Sequence, residues 1–223
     1  MTPSEDDEPR SPVAVFSLVQ TVALIVIAAS LATVVTWWLT KSDDPDLSAV
    51  DIGFLADMTT HHQGAISLAF DYLPRENDQT VGHIAREIVV GQAAEISTMN
   101  SLLADTGSDA EAIENDDVAM EWMGEPVAPS EMPGLASVEE FDTLRASTGV
   151  AADDLFTRLM IEHHAAGVEM ANFAGVEGSD ERVRRFARGI AEIQRREISE
   201  LNGRRREVGL DPIAVDSAGH THD

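Results

Sequence analysis

Two histidine pairs, each preceded by a methionine, carry the clearest chemistry in this chain. Met58-x-x-His61-His62 recurs as Met160-x-x-His163-His164. Residues three and four apart share a helix face, so each methionine lies beside its histidines. Imidazole and thioether together suit Cu(I), or a similar soft ion, better than Fe(III). Di-iron bundles of the ferritin-like kind place a glutamate three residues before each histidine. Methionine stands at that position here, which exchanges hard oxygen for soft sulfur. The candidate ligands are therefore Met58, His61, His62, Met160, His163 and His164, with Cu(I) the expected ion and zinc or iron the alternatives. Asp51, Gln92 and Glu95, with their counterparts Asp153, Gln194 and Glu197, are placed to orient these ligands or to replace one. Met120, Met123, Met132 and Met170 are further soft donors or core filler. The competing reading is a duplicated packing network, with carboxylates holding imidazoles and methionine filling gaps.

The elements that must position these residues follow from an internal repeat. DIGFLADMTTHHQGAISLA from Asp51 matches DDLFTRLMIEHHAAGVEMA from Asp153, at the offset that separates His61 from His163. The offset continues without a gap: Gln92, Glu95 and Asn100 meet Gln194, Glu197 and Asn202. Each copy reads as an αα-hairpin. The first has helices over about 48–72 and 78–105, ended by Pro74 and Gly107; the second over about 153–174 and 179–208, ended by Gly209. Ile84, Ile88, Ile96, Met99 and Leu103 recur at helical spacing. The expected fold is all-α: an N-terminal transmembrane helix, then an antiparallel four-helix bundle of ferritin-like type built from two duplicated αα-hairpins.

The divisions follow. Residues 1–12 are a cytoplasmic tail, 13–40 a membrane anchor and 41–50 a linker. The first hairpin is 51–106, and an acidic insert with one short helix is 107–150. The second hairpin is 151–209, and 210–223 a flexible tail. The anchor rests on Ser11–Thr40, which has no charged side chain and carries Trp37 and Trp38 just before Lys41. About 20 apolar residues cross a bilayer as a helix. A cleaved signal would have a shorter apolar core of about 7–15 residues and a small-x-small site. A short tail before a large C-terminal domain places that domain outside the cytoplasm. In the insert, Ser137-Val-Glu-Glu140 is a capping box that should open a helix to about Ser147.

Composition narrows the function classes. Forty acidic residues against fifteen basic ones give a formal charge of −25. Such a surface repels phosphate backbones and excludes nucleic acid as a partner. The chain has no cysteine, which removes disulfides, thiolate nucleophiles and iron–sulfur clusters. It has no Ser-His-Asp order, phosphate-binding loop or dinucleotide fingerprint. Most of the basic residues lie between Arg182 and Arg206, where they are expected to pair with the acidic first hairpin and to offset the helix dipole.

Over about Asp51–Gly209 the chain resembles the bacterial family catalogued as domain of unknown function 305. The likeness rests on DIGFLADMTTHHQGAISLA, the Q-x-x-E-I run from Gln92, Met132-Pro133-Gly134, and FTRLMIEHHAAGVEMA from Phe156. The resemblance implies a ferritin-like helical fold, export or membrane anchoring, and in some members copper binding and resistance. It implies the same six candidate ligands. The second copy departs from the commoner HHQGA form, since Ala165 stands where Gln63 stands in the first. The expected function is a single-pass, membrane-anchored, extracytoplasmic metal-binding protein that buffers copper, confers resistance or hands the ion on. The alternatives are a metal-free envelope module and, further off, a ferritin-like oxidase. Its partners would be the membrane and the ion, with no protein partner identified and enzyme activity left open.

Overall fold

Ser48 opens the first helix. Its hydroxyl accepts from the Asp51 backbone N–H, while the Asp51 carboxylate accepts from the Ser48 backbone, a reciprocal cap that satisfies donors a helix start leaves orphaned. The structure is a computed structural model. It describes residues 47–75, 77–104, 117–215 and 221–222, together with residues 30, 32, 33 and 36, which are helical. The rest of the expected membrane segment, the tail before it, most of the linker and the start of the insert lie outside the described residues. Among the described residues, no helix is long and apolar enough to cross a membrane. The chain divides into two units, Met1–Asp44 and Pro45–Asp223, and the second contains the repeat.

Five α-helices, with two short 3-10 helices at Glu121–Met123 and Pro129–Glu131, build the described part of the second unit. The α-helices are α1 (Ala49–Tyr72), α2 (Gln79–Ala104), α3 (Val138–Ala146), α4 (Val150–Glu177) and α5 (Glu181–Glu207). The third long helix starts three residues before its expected start and runs past its expected end. Gly149 precedes it and Gly178 closes it, so the boundaries follow the glycines rather than the repeated motif. The short helix of the insert opens on the Ser137 capping box as expected.

The four long helices pack side by side in antiparallel pairs. In both hairpins, stepping forward along one helix steps backward along the other: Thr59 meets Met99 and His62 meets Glu95 in the first, and His164 meets Glu197 and Asn172 meets Arg195 in the second. Tyr72 stacks on Phe156, and His61 on His163, so α1 and α4 also run in opposite senses. Arg204, near the end of α5, pairs with Asp78 just before α2. Each hairpin also caps the other. Asp51 accepts hydrogen bonds from Ser179 and the Asp180 backbone N–H, at the start of α5. Asp153 accepts from Tyr72 Oη and the Asp78 backbone N–H, at the start of α2. The duplication thus rebuilt the same tie in both directions.

Two apolar clusters fill the bundle. One holds Phe54, Leu55, Met58, Met99, Met170, Ala174 and Ile190; the other holds Leu68, Tyr72, Ile84, Ile88, Phe156, Met160 and Leu201. Burying a large apolar side chain contributes about 1.5–3 kcal/mol, so these clusters hold the four helices together. On every long helix the residues between the clusters are polar: His61 and His62, Gln92 and Glu95, His163 and His164, Gln194 and Glu197. The insert crosses the α1–α4 seam. Trp122 meets Phe54 edge-on from one helix and Phe173 from the other, and the Asp57 carboxylate accepts from the Trp122 indole N–H and the Met120 backbone N–H.

After Gly209 the chain, expected to be flexible, is held at its start. Asn202 donates to the Ile213 carbonyl and accepts from its N–H, and Arg205 donates to the Asp211 carbonyl. Ala214–Val215 then pairs antiparallel with Thr221–His222.

Candidate metal centre

All four histidines of the two motifs sit in the polar layer between the apolar clusters, at most 2% exposed. Helical periodicity turns the repeated pairs inward, and the crossing of α1 and α4 brings His61 and His163 together. Their rings stack with centroids 3.8 Å apart and planes 19° apart.

A carbonyl or carboxylate oxygen can only accept, so each one facing a ring nitrogen marks where that imidazole carries its hydrogen. His61 Nε2–H donates to the Pro133 carbonyl at 3.2 Å, and His163 Nδ1–H to the Gly134 carbonyl at 3.1 Å. His62 Nε2–H donates to Glu95 at 2.7 Å. The opposite nitrogens, His61 Nδ1, His62 Nδ1 and His163 Nε2, are buried and have no hydrogen-bond partner. These three residues each offer a ligand atom within 4.8 Å of the other two. Burial and the neighbouring His62 and His164 rings push the His61 pKa down to about 3. Burial, with the His61 ring beside it, likewise holds His163 well below the ordinary imidazole range. Both rings therefore keep a free lone pair at neutral pH, the form a metal ligand needs. A second hydrogen bond that fixes the tautomer and orients the ring is the usual partner of such a ligand.

His164 breaks the symmetry. Its Nδ1 faces the Met160 carbonyl at 2.7 Å and its Nε2 faces Glu197 at 2.6 Å, so both nitrogens are engaged. Met58 and Met160 are fully buried, one in each apolar cluster, on either side of the layer. Gln92, Glu95, Gln194 and Glu197 lie in the layer itself. Asp51 and Asp153 do not; they are the cross-hairpin ties, ten residues or about 15 Å of helix away from His61 and His163. Burial opposes ionisation of Asp51, but hydrogen bonds from Ser48 and Ser179 outweigh it and hold its pKa below the ordinary value. Met120, Met132 and Met170 are buried in the first cluster, and Met123 packs against it.

The repeat pattern does not reveal the strap that covers the histidines. Pro133 and Gly134 present backbone carbonyls to one histidine of each copy. Gly134 has φ +80°, and a Cβ on it would stand 2.8 Å from the His163 Cα. Only glycine lets the strap come this close. The Met132-Pro133-Gly134 run was its one sequence signal. Pro133 and Gly134 of the strap, with Glu140, Glu162 and Glu169, line a cleft of about 310 Å³.

The profile of the domain of unknown function DUF305 matches residues 51–204. No curated protein matches the chain. Among solved structures, a DUF305 protein of Streptomyces coelicolor, described as a candidate secreted protein, is 32% identical with a TM-score of 0.64. The match covers 73% of this chain and 95% of that one. A DUF305 fragment from Deinococcus radiodurans is 29% identical with a TM-score of 0.59, over 73% and 99% of the two chains. CopM in its Cu(I)-bound form is 25% identical with a TM-score of 0.52, over 71% and 97%.

Proposed function

The chain belongs to the DUF305 family, and from that premise we propose that it is a membrane-anchored, extracytoplasmic copper-binding protein that buffers the ion or hands it on. The observation that carries this reading is the set of three buried ring nitrogens, His61 Nδ1, His62 Nδ1 and His163 Nε2, left without partners on rings whose other nitrogens are fixed. Unpartnered buried polar atoms are costly. A cation received by three lone pairs removes that cost in one step. Met58 and Met160, one helical turn before the histidines, supply the soft donors that favour Cu(I). His164, engaged at both nitrogens, stays outside the set.

The Cu(I)-bound relative supports copper as the ion. The apolar stretch Val13–Thr40 supports the anchor, and the Streptomyces relative described as a candidate secreted protein supports the extracytoplasmic side. A surface charge of −25 raises the local cation concentration.

The test is titration of the full chain in detergent against a Cu(I) chelator and a Zn(II) chelator. One Cu(I) per chain is expected. Replacing His61, His62 and His163 together by glutamine should abolish it. Met58→Leu with Met160→Leu should keep the fold, because the volumes match, weaken Cu(I) by about tenfold and spare Zn(II), which gains little from thioether. A parent chain that takes up no Cu(I) sinks the proposal. Three imidazoles with an open position are also the donor set of catalytic zinc, and preference for Zn(II) in the same titration would favour that reading.

A further inference from the structure

Gln194 is a buried polar side chain that the three histidines leave unexplained. It is 1% exposed, and neither its amide nitrogen nor its amide oxygen has a hydrogen-bond partner. Buried polar groups are as a rule hydrogen-bonded, so this amide calls for a partner.

Its position is specific. Gln194 belongs to the polar layer, and its amide lies against α4 at Gly167. A Cβ built on Gly167 would stand 2.3 Å from Gln194 Oε1 and 3.0 Å from Nε2. Gly167 is four residues after His163, one turn along the same face. The glycine opens a slot that brings the amide against the helix that carries His163. The first copy has Ala65 at the equivalent position, so the glycine is what distinguishes Gln194 from Gln92, which is also buried and unpartnered.

The two central helices contribute unequally to the donor set. Helix α1 supplies two free nitrogens, from His61 and His62, while α4 supplies one, because both nitrogens of His164 are engaged. We propose that the Gln194 carboxamide oxygen is an added, hard donor to an ion held by His61, His62 and His163, beside the soft thioethers of Met58 and Met160. This rests on the three-nitrogen reading above. An amide oxygen is harder than imidazole or thioether, so it strengthens the hold on Cu(II) and adds little for Cu(I). Gln194 thereby sets how readily the site accepts the oxidised ion.

The test compares the full chain with Gln194→Leu and Gly167→Ala in detergent. The second variant keeps the amide and closes its slot. Cu(I) and Cu(II) affinities are measured by chelator competition, and the Cu(II) form by electron paramagnetic resonance. Both variants should weaken Cu(II) by about tenfold or more, leave Cu(I) within about threefold, and change the copper hyperfine splitting. A tenfold differential corresponds to a rise of about 59 mV in the Cu(II)/Cu(I) potential. Without metal, Gln194→Leu should hold or raise the melting temperature, since it removes an unpartnered amide. Unchanged Cu(II) affinity and spectrum in both variants would overturn the proposal. So would equal loss of both ions with a lower metal-free melting temperature, the signature of a structural role. A parent that binds neither ion overturns the three-nitrogen reading instead, so the two failures are told apart.

Discussion

Gly134→Ala tests whether the strap sets the site. Two costs add at this position. The residue has φ +80°, and a side-chain-bearing residue held in the left-handed region costs about 1–2 kcal/mol. The new methyl would also stand 2.8 Å from the His163 Cα, 2.9 Å from the Ala166 Cβ and 3.2 Å from the Glu162 carbonyl oxygen. The first and last of these are backbone atoms of a central helix and cannot step aside cheaply. Overpacking of this kind costs about 1–3 kcal/mol. The sum is about 2–5 kcal/mol, relieved only if the strap lifts. Lifting it lengthens the bonds from His61 to Pro133 and from His163 to Gly134, which frees both rings to rotate. Loss of such orienting bonds lowers metal affinity about 10–100-fold. Gly124→Ala is the control, because Gly124 also has φ +80° but a Cβ there meets nothing within 4 Å. The assay is urea unfolding of both variants without metal, followed by chelator competition for Cu(I). Gly124→Ala should lose only the backbone cost and keep its copper affinity. If Gly134→Ala is no less stable than Gly124→Ala and binds copper like the parent, the close approach of the strap to α4 is wrong.

The asymmetry of the layer predicts unequal responses from two equivalent carboxylates. Glu95→Gln removes the charged acceptor of His62 and should lower copper affinity about 10–100-fold; Glu197→Gln, whose histidine is outside the proposed set, should leave affinity within about threefold, and equal losses in the same titration would restore His164 as a ligand. Asp51 has a pKa below the ordinary value when folded, so its contribution is complete above about pH 4 and is lost as pH falls through that lower value. Asp51→Asn should therefore cost about 1–3 kcal/mol at neutral pH and remove this part of the acid loss; an unchanged acid-unfolding midpoint would mean that the tie to Ser179 and Asp180 is absent.

Within the described residues, the sequence by itself determined the four long helices to within a few residues at their ends, their pairing into two hairpins, and the inward histidine pairs. Each of these depends on relations within a few residues, such as the turn-spaced apolar stripe, the Ser137 capping box and Pro74, or on a repeat that can be read by sliding the chain along itself. The tertiary structure decided which nitrogens are free. His62 and His164 occupy equivalent positions, and each faces a glutamate 33 residues onward. Yet Nδ1 is unpartnered in one and bonded to the Met160 carbonyl in the other. The repeat could not separate them, because ring orientation depends on packing around each side chain. Asp51 and Asp153 read as neighbours of the histidines because they share a helix face with them, but ten residues of rise carry them to the ends of the bundle. The acceptor for His61 lies 72 residues away, at Pro133, and that for His163 lies 29 residues back, at Gly134. Both are backbone carbonyls, which every residue carries, so no side-chain pattern marks them. Only the path of the insert across the α1–α4 seam brings them to the rings, and only a residue without a Cβ at 134 lets that path close.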